Sequence, residues 1–205
     1  MGTRRRLKVK GGALFCSQMK CPSCAAPLAE PVPRCPECKI SLQRLDIKFG
    51  LVPRHSRYLS DRVGRLTLPQ MESLREALRL FERKFPQSLF SVLVADLPRG
   101  SSVSEYAFWM ANRARFSSLE KTAGDNFDLL LVIDVTSNTA ALTTGYGLEP
   151  YVEEEDLQEA LKALVQPLRD GKMADGIQAC VRVMTRKMRQ RSALAKRLEL
   201  DAAEV

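Results

Sequence analysis

Leu129-Leu-Leu-Val-Ile-Asp-Val135 is a run of seven residues with one charge in it. It is far short of the roughly 20 residues a bilayer-spanning helix needs, and it reads as a strand covered on both faces. Residues 89–95 (Leu-Phe-Ser-Val-Leu-Val-Ala) form a second run of the same kind. Between the two, residues 103–115 place Tyr106, Trp109, Met110 and Arg113 at helical spacing, behind the capping candidates Ser101, Ser102 and Ser104. Strand, helix, strand implies a right-handed parallel crossover. Outward from this unit, Thr136-Ser-Asn138 predicts a turn and residues 139–144 a returning strand, so a hairpin follows the crossover. Residues 69–85 carry Met71, Leu74, Leu78, Phe81 and Phe85 at intervals of three and four, as an amphipathic helix requires. Residues 153–166 predict a helix whose four opening acids suit the backbone dipole, and residues 173–198 a long final helix with Ile177, Cys180, Val181, Met184 and Met188 inward. The expected fold is α/β, a small mixed sheet sandwiched between helices.

The N-terminal end is built differently. Five of the six cysteines fall within residues 16–38, among five prolines. Cys21-Pro-Ser-Cys24 and Cys35-Pro-Glu-Cys38 each set two thiolates on one tight turn, and two such turns can close a tetrahedral Zn(II) site. About 30 residues cannot bury enough surface to fold alone, whereas bound zinc can supply roughly 10–16 kcal/mol of apparent binding energy. A closed four-cysteine site is structural. Rubredoxin-like iron fits the same ligands, and redox pairs or disulfides are the remaining readings. Cys16 has no assigned role, and Cys180 is a core residue despite its C-x5-R spacing to Arg186, because no glycine-rich loop lies between them. The expected organisation is a basic arm and zinc ribbon at 1–47, a solvated linker at 48–57, an α/β domain at 58–190 and a C-terminal helix end and tail at 191–205.

Charge and composition exclude several functions. Residues 1–60 hold 12 Lys/Arg against 3 Asp/Glu, residues 61–180 hold 13 against 18, and residues 181–205 hold 7 against 3. The acidic middle rules out one polyanion-binding face across the chain, so nucleic-acid binding belongs to an end, and no aromatic residue stands among the ribbon bases to stack on nucleobases. No apolar run approaches the roughly 20 residues of a membrane span, and no secretion leader is recognised, which predicts a cytoplasmic protein. His55 is the sole histidine, and there is no nucleophile elbow, P-loop or dinucleotide fingerprint. Any catalysis falls to carboxylates at strand ends and loops: Asp61, Asp96, Asp125, Asp128 and Glu149. Clustered there, they suit Ca(II) or Mg(II).

Five segments, in order, give residues 58 to about 190 a resemblance to the TPM domain, often labelled TPM phosphatase. Tyr58-Leu-Ser-Asp61 through Val63-Gly-Arg-Leu66 resembles the family's opening, and Trp109 with Ala111-Asn-Arg113 its helix before the second core strand. Gly124-Asp-Asn-Phe-Asp-Leu-Leu-Leu-Val-Ile-Asp134 resembles its D-N-G-x-L-L-x-V stretch, Gly145-Tyr-Gly-Leu-Glu149 its most recognisable motif, and Pro167 with Gly171 to Gly176-Ile177 its ending. The resemblance implies an α/β sandwich, acid phosphatase activity and a divalent metal in a loop groove, with Asp61, Asp125, Asn126 and Glu149 as groove or catalytic residues. Phe127 stands where the family has glycine, which predicts a narrowed groove. Relatives often carry a signal peptide and a membrane helix, where this chain has a cysteine module.

The reading drawn from these residues is a non-catalytic interaction or scaffold protein, with structural zinc on Cys21, Cys24, Cys35 and Cys38, Ca(II) or Mg(II) in the groove, and a protein partner. A metal-dependent phosphatase is the alternative, and nucleic-acid binding through the basic ribbon end the second.

Overall fold

The computed structural model describes residues 19–28, 32–114, 126–148 and 151–203. Two short strands, β1 (Met19–Lys20) and β2 (Pro27–Leu28), pair antiparallel around the first cysteine turn. The main elements follow as α1 (Leu42–Phe49), β3 (Leu59–Asp61), α2 (Leu68–Lys84), β4 (Phe90–Ala95), α3 (Val103–Arg113), β5 (Leu129–Asp134), β6 (Thr139–Thr144), α4 (Glu154–Arg169) and α5 (Met173–Ala203). The sheet runs β3-β4-β5-β6, the first three strands parallel and β6 antiparallel to β5. This is the predicted mixed sheet, with the crossover through α3 and the hairpin turned at Val135 to Asn138.

Both central strands are buried along their full length, and alternation divides their side chains between two cores. Phe90, Val92 and Val94 with Leu129, Leu131 and Ile133 point to the layer of α2, α4 and α5. Leu93, Ala95, Leu130 and Val132 point to the layer of α3, around the fully buried Trp109. Helix α2 starts on a reciprocal box between Thr67 and Gln70, with Pro69 in its first turn, where no amide partner is needed. Gly176 lets α5 close on α4, since a Cβ there would stand 3.0 Å from the Leu164 carbonyl oxygen.

Helix α1 crosses the expected boundary between ribbon and linker. Ser41 caps it by accepting from the Arg44 amide at 3.3 Å, and Gly50 ends it at φ 73°. Its Leu45 is fully buried in the α3-side core, and Phe49 meets the rings of Tyr106 and Trp109 at 5.0 and 5.3 Å. The segment therefore covers α3, and only the stretch after Gly50 is a loop. Strand β3, too, was not expected as a strand: three residues are too few to show a period.

Candidate metal centre and the adjoining cleft

The two Cys-x-x-Cys turns repeat one backbone pattern. The Cys21 N–H donates to the Ala26 carbonyl at 2.9 Å and the Cys21 carbonyl accepts from the Ala25 amide at 3.0 Å; the Cys35 N–H donates to the Ile40 carbonyl at 2.9 Å and the Cys35 carbonyl accepts from the Lys39 amide at 3.1 Å. Ala25 and Lys39 take left-handed φ of 58° and 61° at the same place in each turn. The bonding brings two Sγ atoms per turn to one side, where Cys21 lies 3.6 Å from Cys38 and Cys24 3.8 Å from Cys35, all four within 4.8 Å of one another. A tetrahedron of bonds about 2.3 Å long has edges of about 3.8 Å, so the four sulfurs fit a closed tetrahedral ion. Cys21 and Cys35 are buried and Cys24 is exposed. Burial pushes the Cys21 thiol up to about 12, while the Ile40 amide, against the cost of burial, draws Cys38 down to about 7. A bound cation favours thiolate at all four positions and joins the two turns, leaving no open position for a substrate.

Polar contacts among the described residues hold this module to the sheet domain. Asp46 of α1 accepts from the Trp109 indole at 2.9 Å and from two nitrogens of Arg113 at 2.8 and 2.7 Å. Lys48 bonds the nearly buried Glu105 of α3 at 2.6 Å. Lys20, beside the first cysteine turn, pairs with Glu154 at the start of α4.

Between module and domain lies a cleft of about 610 Å³, walled by the cysteine turns, by Ala107 and Phe108 of α3 and by the outer edge of β6. Its far end is Asn126, Gly145 and Tyr146. Asn126 clasps the turn there: its Oδ1 accepts from the Asp128 amide at 3.0 Å and its carbonyl from Gly147 at 2.8 Å, while Gly145 donates to the Asp128 carbonyl at 2.7 Å. A Cβ on Gly145 would fall 2.3 Å from the Asn126 carbonyl oxygen, so only glycine allows this approach. Phe127 turns its ring to the core on the α2, α4 and α5 side, and the cleft is lined by its neighbour Asn126 instead.

The sheet separates the two predicted groove residues that are described, Asp61 and Asn126. Asp61 ends β3 and aligns with Val94 and Ile133, whereas Asn126 precedes Leu129 at the opposite end of β5. The span from Leu129 to Ile133 alone is about 13 Å. Both Asp61 oxygens serve the loop into α2, accepting from the Val63 amide at 3.1 Å and the Leu66 amide at 2.7 Å. Asp125 and Glu149, like the basic arm Arg4 to Lys10 and Cys16, lie outside the described residues.

The other loop acids are bonded as well. Asp128 accepts from the Leu89 amide at 2.8 Å, and Asp96 accepts from the Thr136 hydroxyl. Asp134, almost fully buried, accepts from Leu97 and Thr136 amides at 3.1 and 3.2 Å and from the Ser137 hydroxyl at 2.5 Å. Burial opposes its ionisation, but these donors outweigh burial and hold its carboxyl below the usual range. Cys180 is fully buried and its thiol is pushed up to about 12, which makes it a core residue and not a nucleophile.

The sequence missed α1 as the joint between module and domain. Its signal was present in Ser41, in Leu42, Leu45 and Phe49 at helical spacing, and in Gly50 just past the end.

The family described as the TPM domain matches residues 59–187. Among solved structures, the chain is similar to the BA42 protein of the psychrophilic bacterium Bizionia argentinensis, at 12% identity and TM-score 0.54, over 64% of this chain and 86% of that one. It is also similar to the N-terminal domain of a P. gingivalis protein, at 23% identity and TM-score 0.48, over 64% and 81%. No curated protein matches it. The first likeness carries the fold. The cysteine module and α1 precede the matched segment. No helix among the described residues is long and apolar enough to cross a membrane.

Proposed function

The chain belongs to the TPM-domain family, and from that premise we propose that it is a non-catalytic interaction protein: the TPM domain is the scaffold, and a zinc-held cysteine module fixed to it presents a surface to a cytoplasmic protein partner. The observation that carries this reading is the joint. Leu45, Phe49 and the Asp46 clasp seat the module on α3 in one orientation, as a presented surface requires and a tethered tail does not. Zinc on Cys21, Cys24, Cys35 and Cys38 supplies the module's closure, and its chemistry there is structural.

A supporting observation is that Asp61 spends its carboxylate on backbone amides and stands at the other end of the sheet from Asn126, which favours a fold-keeping role over attack on phosphate. The test is hydrolysis of an aryl phosphate by the zinc-loaded full chain with Ca(II), Mg(II) or Mn(II), beside an Asp61→Asn/Asp125→Asn double variant. We expect no turnover that depends on these residues. In the same preparation, proteins retained from cell extract should be lost with Cys24→Ser/Cys38→Ser and kept with Asp125→Asn. Metal-dependent turnover abolished in the double aspartate variant establishes the phosphatase instead, and retention that survives loss of the cysteines removes the module from the interaction.

A further inference from the structure

Helix α5 sorts its cations between two sides. Toward α4, each has an acid: Arg186 pairs with Glu159, Lys187 with Glu159 at 2.5 Å and Asp156 at 3.3 Å, and Arg191 with Glu153 at 2.5 Å and Asp156 at 2.9 Å. Toward α2 the pattern stops. Of the three acids of α2, Glu76 pairs with Arg79 and Arg83, Glu82 with Arg57 and Tyr58, and Glu72 is not among the residues that line the α2–α5 face. Lys84, Arg182 and Arg189 have no ion-pair partner among the described residues, and all three are exposed.

These three cations, together with Arg186, whose partner Glu159 lies on α4, line a groove of about 610 Å³ between α2 and α5. Its floor is apolar, with Ala77, Leu80 and Phe81 from α2 and Val181 from α5, and Leu80 is 44% exposed in a helix interior. No Asp or Glu lines it. The contributing positions recur at three and four on both helices, so the groove is a straight trough running along two roughly parallel axes, bonded near its start where Gln178 donates to the Ser73 hydroxyl at 2.9 Å.

The molecule itself shows what such a face accepts. Helix α4 presents Leu157, Leu161 and Leu164 to the core and Glu153, Asp156 and Glu159 to the cations of α5. The α2 side of α5 offers the same combination, apolar floor and basic rim, with the acidic helix absent. We infer that the α2–α5 groove docks an acidic amphipathic helix of a partner protein. Apolar side chains at i, i+3 or i+4 and i+7 lie on Leu80 and Val181, and flanking Glu or Asp meet Lys84, Arg182 and Arg189. A nucleic-acid strand fits less well, because its backbone gains nothing from the apolar floor and no exposed aromatic ring stands at the rim. The inference is independent of the cysteine module and of the reading proposed above.

The probe is a fluorescein-labelled synthetic peptide with the sequence of residues 151–170 and Pro167→Ala, an acidic amphipathic helix that α5 is already built to meet. Its binding to the zinc-loaded full chain is followed by fluorescence anisotropy. Saturable binding in the range of about 10–100 μM is expected, weakening with salt. Arg182→Glu/Arg189→Glu and, separately, Leu80→Asp should each weaken it at least about tenfold, equivalent to about 1.4 kcal/mol. Both changes are at exposed positions, so an unchanged melting curve shows that the fold is intact. A peptide of equal composition with its leucines spread round the helix should not bind. The inference is overturned by no saturation up to about 1 mM, by equal binding of the scrambled peptide, or by unaltered affinity in both variants. It is overturned equally if an oligonucleotide of matching charge binds more tightly at the same residues, or if the groove proves to hold a second copy of the chain, seen as a dimer that Leu80→Asp dissolves.

Discussion

Leu45 sits in a basic, proline-bounded segment, and apart from Ile40 and Phe49 the residues of its core cluster are distant in sequence. Its surroundings are Leu93, Ala107, Trp109 and Leu130, all from the sheet domain. Beside it Asp46 holds three donors, and the hydrogen bonds from Arg113 and then Trp109 keep its carboxyl below the ordinary range. If α1 belongs to the core, Leu45→Ala removes buried methyls from a site that the rigid sheet cannot collapse, and unfolding of the whole domain in urea should lose about 3 kcal/mol with an unchanged denaturant slope. A loss below about 0.5 kcal/mol would return α1 to the module alone. Asp61 teaches the complementary lesson. Its position in a strand-end loop makes it a candidate for chemistry, and the structure adds what the sequence does not show, an amide turned toward each of its oxygens, Val63 to one and Leu66 to the other.

Among the elements, those with a period were legible in advance. The runs at 129–135 and 89–95 look like strands covered on both faces, and the structure places helices on each. Helices α2, α4 and α5 were visible from their apolar stripes because each packs three or more turns against one core. Strand β3 was not, because three residues show no repeat, and α1 offered a cap, a terminal glycine and only two turns of apolar spacing, while the partners of both come from distant parts of the chain. The ends of the candidate groove were illegible for a related reason: loop acids look alike in sequence, and only strand register tells which end of the sheet each occupies. The acidic start of α4 was read as dipole compensation and does form a box between Glu153 and Asp156. It also binds α5. Asp156 is almost fully buried; burial opposes its charge, yet Arg191 and the Glu153 amide outweigh it and hold the carboxyl low. A carboxyl lowered on folding stabilises above its unfolded pKa, near 4, and the contribution is lost as pH falls through the lowered value. The contribution of Asp156 to thermal stability should therefore be full at about pH 5 to 7 and be lost below about pH 4. Asp156→Asn should cost about 2 kcal/mol at pH 7 and shallow the acid limb, and a parallel-shifted limb would assign the acid sensitivity to Asp134 and other groups.

At the scale of the whole molecule, the chain joins two stabilising strategies. The sheet domain buries two apolar cores, whereas the described residues between 19 and 41 bury little beyond Cys21 and Cys35 and gain their closure from what the four sulfurs can hold. Purified protein should contain one zinc per chain and lack the red colour that iron gives with four thiolates. The consequences of removing the metal follow from where each part keeps its contacts. The amides of Cys21, Ala25, Cys35 and Lys39 are protected only by bonds inside the turns, so chelation should bring them to fast hydrogen exchange. Helix α1 keeps Leu45 and Phe49 in the α3-side core without the ion and should exchange no more than a few-fold faster. Amides of β4 and β5 lie in the centre of the sheet and should not change. A single loss of protection from residue 20 through residue 134 would make the metal a keystone of the entire fold. Unchanged protection in the turns would mean that their backbone bonds suffice, and that the cysteines are kept together for a purpose other than stability.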